Sequence, residues 1–260
     1  MMKLAACIEY AGTNYCGWQR LSHATAVQNK VEAVLSKVAN EPIEVTCAGR
    51  TDSGVHAFGQ VIHFETNAVR ATKGWMLGCN SNLPDDIAVR WIQTVDEDFH
   101  ARFSATSREY RYVILNHRAR PAILDNKVGW VYHELDAEKM HEAAQALLGE
   151  QNFSSFRASG CQAKHAMRNV ELITVHRSQD FIYIDIKANA FLHHMVRNIV
   201  GSLILVGQGG QSIGWMGELL RVQNRNLAGP TAAASGLYFV RANYPENFAL
   251  PNERRLPVFG

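Results

Sequence analysis

The segment Glu171 to Ala188 constrains the fold more than any other part of the chain. Glu171 to His176 and Phe181 to Ala188 read as two strands joined through Arg177 to Asp180, and Ile182, Ile184 and Ile186 alternate as in a half-buried hairpin. A hairpin pairs antiparallel by construction, which argues against a doubly wound parallel sheet. Helical patterns elsewhere in the chain then point to an α+β fold.

Those helical patterns are distributed through both halves. From Val27 the apolar residues Val31, Val34, Leu35 and Val38 share one face, and Pro42 follows the end. A second helix is expected over roughly Val69 to Asn80. Asp136 is placed to cap a third, carrying Met140, Ala144, Leu147 and Leu148 and ended by Gly149. A fourth starts at Phe191 and carries Leu192, Met195, Val196, Ile199, Val200 and Leu203 on one side. Strands are expected at Leu4 to Tyr10, Ile43 to Ala48, Gln60 to Glu65, Ile87 to Val95, Tyr110 to Leu115 and Leu237 to Val240. With 260 residues, 47% of them hydrophobic, the chain can bury one large core or two modest ones. The order of elements suggests lobes at residues 1–105 and 106–244, with a boundary near Ser104 to Ser107 and a tail over 245–260 that is expected to be extended or mobile.

Several classes of function are disfavoured. Met1 to Tyr10 lacks the apolar core and cleavage site of a secretory signal, and Ile199 to Val206 is far too short to span a bilayer. Five scattered cysteines (Cys7, Cys16, Cys47, Cys79, Cys161) suggest neither a disulfide framework nor a zinc site, and read as reduced thiols of a cytoplasmic protein. His193 and His194, neighbours on the expected helix, would diverge, so no metal is expected. No phosphate-loop or Gly-x-Ser-x-Gly pattern occurs, and Asp85, Asp86, Asp96 and Asp98 read as surface groups.

The formal net charge of +2 does not itself announce a nucleic-acid partner, but the distribution of charge is uneven. Between Ala101 and Arg120 stand Arg102, Arg108, Arg111, Arg118 and Arg120 against the single acid Glu109, interleaved with Phe103, Tyr110 and Tyr112. Cations among aromatics suit phosphate contact with base stacking, and equally suit an ordinary solvated strand.

The stretch Gly49 to Ala57, Gly-Arg-Thr-Asp-Ser-Gly-Val-His-Ala, puts Asp52 between two glycines beside Arg50. A loop of this kind can present an ionised carboxylate to a ligand, or it can be a plain turn in which Asp bonds the backbone. On the expected fourth helix, Arg197 lies on the side of His193, His194 and Gly201, where it can face a cleft or simply solvent.

The Gly49 to Ala57 loop closely resembles the catalytic loop of the tRNA pseudouridine synthase A family. Tyr15-Cys16-Gly17-Trp18-Gln19, Leu83-Pro84-Asp85-Asp86, Phe99 to Ala105, Arg108 to Tyr112, Phe153 to Arg157 and Phe191 to Gly201 resemble that family's patterns in its order, over nearly the whole chain. The resemblance implies a pseudouridine synthase fold, two RRM-like lobes sharing a mainly antiparallel sheet. It implies a homodimer that binds tRNA across both subunits and isomerises uridine at positions 38, 39 and 40 of the anticodon arm, with no cofactor and no metal. By the same resemblance Asp52 is the nucleophile, Tyr110 the aromatic on the target base, Arg50 the arginine of base flipping and Arg197 the partner of the aspartate. Arg102 and Gly160, Cys161, Gln162, Ala163 and Lys164 match stretches that touch tRNA, and Arg118 is a further candidate contact in the basic run. Departures are Ala11 where Asp is frequent, Ser53 where Ala is common, Gln151-Asn152 where His-Asp is frequent, and Ala233 where Pro is usual. The rival reading is a non-catalytic RNA-binding or RNA-folding protein, and a second is a hydrolase pairing Asp52 with His56.

Overall fold

A computed structural model describes residues 1–251 and 253–260. Two compact units divide the chain. One comprises Met1–Ser107 with Tyr238–Leu256, the other Arg108–Leu237 with Pro257–Gly260. The last strand and the tail thus divide between the units, unlike the ranges 106–244 and 245–260 expected from the sequence.

In the first unit β1 (Met2–Tyr10) lies between two antiparallel neighbours, β3 (His56–Thr66) and β4 (Ile87–Thr94), while β2 (Thr46–Cys47) pairs with β3. Helices α1 (Val27–Ala39) and α2 (Thr72–Asn80) pack on each other, and α2 packs on β4. Helix α1 follows its apolar pattern: Val31, Leu35 and Val38 are buried, and Asn40 ends it with a left-handed φ of 57°. Glu32, which the pattern assigns to solvent, is buried, because its carboxylate accepts from the Val45 amide at 3.0 Å and the Gln28 amide at 2.9 Å, beside Arg20 at 3.3 Å. The Val45 bond joins α1 to the segment before β2. Only Thr46 and Cys47 of the expected Ile43 to Ala48 strand pair with β3.

In the second unit β5 (Ser107–Asn116) pairs in parallel with the short β6 (Gly129–Val131) and antiparallel with β9 (Phe181–Ala188). Next come β8 (Met167–Ser178) and β7 (Gly149–Asn152), all antiparallel. The hairpin is tighter than expected: Ser178 faces Phe181, so the loop is only Gln179 and Asp180, and Gln179 takes φ 50°, as the first central position of a primed turn demands. Nor is β9 half-buried. It sits between β5 and β8 with Tyr183 and Asp185 buried as well as the isoleucines. Helix α3 (Ala137–Ala144) is capped by Asp136, whose carboxylate accepts from the Lys139 amide at 3.0 Å, and packs on β8 and α4 (Met195–Gly207). It ends four residues before Leu148, through a 3-10 turn at Gln145–Leu147. After α5 (Trp215–Val222) the chain returns to the first unit as β10 (Leu237–Asn243), parallel to β3 through Tyr238 opposite His56 and Phe239 opposite Ala57.

Each unit is therefore α+β with a mixed, mainly antiparallel sheet. The tail is docked rather than merely extended. Phe248 meets Phe99 edge-on at 5.1 Å in the first unit, and in the second Phe259 exchanges two hydrogen bonds with the Tyr183 hydroxyl. A buried two-pronged ion pair, Arg111 with Asp185 at 2.7 Å on both prongs, braces β5 against β9, and the same guanidinium reaches the Pro257 carbonyl at 3.3 Å. Among the described residues no helix is long and apolar enough to cross a membrane.

Candidate active site

The Asp52 loop runs from the end of β2 to His56, where β3 begins. That is earlier than the expected Gln60, so Gly59 lies inside a strand, where its missing side chain admits the Val240 carbonyl. The Gln60 side chain closes the base of the loop by bonding both the amide and the carbonyl of Gly49. Thr51 is buried, with its hydroxyl 2.7 Å from that of Tyr10, and burial raises the Tyr10 phenol pKa so that it stays protonated. The segment after β1 grips the loop from its other side. Trp18 donates to the Thr51 carbonyl at 3.0 Å, and the Ser53 hydroxyl donates to the Tyr15 carbonyl at 3.2 Å. The turn closes through main chain, Val55 N–H to the Asp52 carbonyl at 3.1 Å.

Two glycines make this grip feasible. A Cβ on Gly12 would stand 1.9 Å from the Val55 carbonyl oxygen. One on Gly17, whose φ is +87°, would stand 2.6 Å from the Thr51 oxygen and 3.2 Å from the Asp52 carbonyl carbon. Asp52 is half-buried on a backbone that its neighbours hold in place, whereas Arg50 is exposed.

Asp86 is not the surface group its sequence context suggests. It accepts from the Tyr15 hydroxyl and from the Asn14 amide at 3.1 Å, and its carbonyl takes the Ala11 amide at 2.9 Å, so it anchors the segment that grips the Asp52 loop. Burial, and then the Asp86 contact, push the Tyr15 phenol up. His56 is buried, its Nδ1 accepts from the Gly12 amide at 3.0 Å and its ring stacks on Tyr238 at 4.8 Å; an imidazole so engaged gives no support to the hydrolase reading. Arg50 and Arg102 converge electrostatically on Cys47. Burial pushes that thiol up to about 11, against the pull of the two cations.

Among the remaining candidates, Tyr110, Arg118, Gly160 to Lys164 and Arg197 belong to the second unit. Tyr110 lies on β5 opposite Ile186, with its ring edge-on to Phe191 at 5.0 Å and 82°. Helix α4 starts at Met195, not Phe191, because His194 adopts a left-handed φ of 60°. His193 and His194 consequently occupy the turn before it, and their rings lie 4.0 Å apart instead of diverging. Arg197, half-buried, donates from Nε to the Ala232 carbonyl at 2.8 Å, and its own carbonyl takes the Ala232 amide at 3.1 Å. Gly201 faces the loop 229–233 and not a ligand: a Cβ there would meet the Pro230 carbonyl at 1.7 Å.

Buried Asn198 completes this junction by donating to the Phe156 carbonyl at 2.8 Å and accepting from Thr231 at 2.7 Å and Arg225 at 3.0 Å. Nothing in the sequence marks Asn198 beyond being an amide in an apolar helix, a signal of a hidden hydrogen-bond hub. Arg157 holds the 160–164 loop through the carbonyls of Cys161 at 2.7 Å and Ala163 at 2.8 Å, while Gly160, Gln162 and Lys164 are exposed. Burial raises the Cys161 thiol, but donation from Ala163, His193 and Arg157 outweighs it and leaves the group below its ordinary range.

The basic and aromatic run of 101–120 divides between the two units and between exposed and buried positions. Arg102 and Phe103 are exposed in the first unit, and Arg118 and Arg120 are exposed in the second. Between them, Arg111 is locked to Asp185, and Tyr112 is buried with its hydroxyl on the Ala233 carbonyl at 2.9 Å.

A family model described as tRNA pseudouridine synthase matches residues 6–104 and 143–245, most of the chain, including the Asp52 loop, Arg102 and Arg197. Tyr110 and Arg118 lie between the matched ranges. The class so defined is an isomerase that rearranges uridine in RNA. Proteins named tRNA pseudouridine synthase A are similar along the full length: 58% identical from Hydrogenovibrio crunogenus over 96% of each chain, and 59% identical from Yersinia pseudotuberculosis over 99% of this chain and 98% of the relative. One from Shewanella baltica is 57% identical over 99% of both. The chain belongs to the tRNA pseudouridine synthase A family. Among solved structures, an archaeal box H/ACA sRNP complex aligns over 91% of this chain and 47% of that one, at 11% identity and a TM-score of 0.40, too loosely to carry an argument.

Proposed function

We propose that this isomerase converts uridine to pseudouridine at positions 38, 39 and 40 of the tRNA anticodon arm, with Asp52 as its nucleophile. The observation that supports Asp52 in this role is the grip on its backbone, which fixes a carboxylate-bearing loop through Tyr10, Trp18 and the glycines Gly12 and Gly17. Chemistry of this kind rewards a preplaced charge, because a displacement of about 1 Å costs on the order of a hundredfold in rate.

The reaction breaks the bond from uracil N1 to ribose C1′, rotates the base, joins C5 to C1′, releases the C5 proton and leaves N1 carrying a proton taken up in its place, with neither net oxidation nor hydrolysis. The carboxylate can start it by attacking C1′, by adding to C6, or by taking the C2′ proton. Each route ends in loss of the proton at C5. Tyr110 supplies a ring to hold the freed uracil and a phenol to relay a proton, and Arg197 is the basic partner of the aspartate. The target nucleotide must leave its stack, at a cost of roughly a few kcal/mol, and exposed Arg50 is suited to occupy the vacated space. Arg102, Arg118 and the segment Gly160 to Lys164 contact the tRNA. Two RRM-like lobes sharing one sheet, a homodimer with tRNA across both subunits and a cytoplasmic location complete the reading.

The test is tritium release from tRNAs labelled at uracil C5 that carry a uridine at only one of the three positions, or at none. Release from the single-uridine tRNAs and none from the last is the expected result. Release from the tRNA without those uridines would overturn the assignment of target positions.

A further inference from the structure

In the first unit three rings form a ladder from the sheet to solvent. His63 on β3 lies 4.7 Å from His100, and His100 stacks on Phe103 at 4.3 Å and 27°. Backbone donors lock the ladder: His63 Nδ1 accepts the Ala101 amide at 3.1 Å, while His100 Nδ1 accepts the amides of Arg102 at 3.2 Å and Phe103 at 3.1 Å. Those bonds need both imidazoles to present an unprotonated Nδ1, and burial lowers the pKa of each. The loop is further closed by the Ser104 amide on the His100 carbonyl at 2.9 Å and by the Ser104 hydroxyl, which accepts the His100 amide at 3.0 Å. At the end of this rigid construction, the Phe103 ring is 75% exposed, with the Arg102 guanidinium 5.6 Å from its centroid.

A singly exposed Phe is unremarkable on a protein surface. Here, though, the ring is held in one orientation by a stacked partner, and the adjacent cation is one of two arginines that converge on Cys47, the other being Arg50 of the Asp52 loop. A fixed π-face beside a cation is the chemistry that receives an unpaired base and its phosphate. We infer that Phe103 is a base-stacking platform for the tRNA substrate, with His63 and His100 as the positioning residues that hold its ring. The inference rests on the tRNA substrate proposed above.

The experiment measures tRNA affinity and turnover for Phe103→Ala, Phe103→Leu and Phe103→Trp, with tritium release by the wild-type protein as the check on the substrate itself. Loss of stacking on one base is worth between about fivefold and a hundredfold in affinity. Phe103→Ala and Phe103→Leu should raise the Kd for tRNA by that factor, leave turnover at saturating tRNA unchanged, and leave the melting temperature unchanged because the ring is exposed. Phe103→Trp should restore binding, which a purely apolar contact would not require. Stacking releases no counterions, so the salt dependence of binding should be unaltered in Phe103→Ala and shallower in Arg102→Ala. If the wild type releases tritium but Phe103→Ala binds tRNA within twofold of it, the platform is overturned while the substrate stands. A change in oligomeric state in Phe103→Ala that accounts for the lost affinity would overturn it in favour of a contact between protein chains.

Discussion

Replacing Gly17 by Ala tests whether the Asp52 loop is held in place by the segment after β1. The added Cβ would lie 2.6 Å from the Thr51 carbonyl oxygen, about 0.8 Å short of ordinary contact, and its other near neighbours are also backbone, the Asp52 carbonyl carbon and the Ser53 nitrogen at 3.2 Å. No flexible side chain can yield. The left-handed φ of +87° adds roughly 1–2 kcal/mol for any residue with a Cβ, and overpacking adds about 1–3 kcal/mol. In a chain of this size each kcal/mol lowers the melting temperature by about 2–4 °C, so a drop on the order of 4–20 °C is expected. The functional effect should exceed what unfolding explains, because relief of the clash moves the loop by a good part of an ångström, and a shift of about 1 Å costs on the order of a hundredfold in rate. Single-turnover tritium release, measured well below the variant's melting temperature and with tRNA binding measured in parallel, should show a rate reduced tens- to a hundredfold and a Kd changed no more than a few-fold. Gly74→Ala is the control: nothing lies within 4 Å of its Cβ, and both activity and fold should be kept. A Gly17→Ala protein that turned over at the wild-type rate would refute the claim that this grip positions the carboxylate.

Two further outcomes concern the framework. Asp185→Ala leaves the Arg111 guanidinium buried with little more than the Pro257 carbonyl and should destabilise the protein by about 3–5 kcal/mol in urea unfolding, whereas replacing both partners by apolar residues of similar size should recover most of the loss; equal losses would show that the pair itself is not the issue. His63 has its pKa lowered to about 4 by burial, with His100 and Lys3 adding to the effect. The unfolded chain therefore binds the extra proton first. The contribution is whole above about pH 6.5 and is lost as pH falls towards 4, and after discounting for partial exposure it amounts to roughly 1–2 kcal/mol. Relative to wild type, His63→Gln should lose about that much less stability between pH 7 and pH 4.5, and identical losses would remove His63 as the source.

What the sequence discloses depends on whether the deciding contact is local. The periodicity of Val31, Leu35 and Val38 places α1, and the alternation of Ile182, Ile184 and Ile186 places β9, because each pattern expresses the element's own geometry. Burial of both faces of β9 comes from having β5 and β8 on its two sides, which no pattern within Phe181–Ala188 encodes. The start of α4 is hidden in the sequence for a related reason. Leu192 fits the apolar stripe, and only the left-handed His194, an uncommon conformation for a residue with a side chain, ends the helix at Met195. Asp52 is legible through its flanking glycines, while the residues that hold it are distant in sequence: Tyr10 by 41 positions from Thr51, and Asp86 by 71 from Tyr15. Gly12 and Gly17 are the trace that this contact leaves in the sequence, and their role shows only in the folded chain. The basic run of 101–120 stays ambiguous in the sequence, since Arg111 has a buried carboxylate partner on another strand, and charge alone does not distinguish it from exposed Arg102 or Arg118.

The central claim is that the chemistry depends on the Asp52 carboxylate. Its most direct test is tritium release from uracil-C5-labelled tRNA by the wild-type protein and by Asp52→Asn, which keeps the size of the side chain but removes its charge and replaces one acceptor oxygen by an N–H donor. Both proteins should bind the tRNA with closely similar affinity, and only the wild type should release tritium. Release by Asp52→Asn at a rate near that of the wild type would contradict the account.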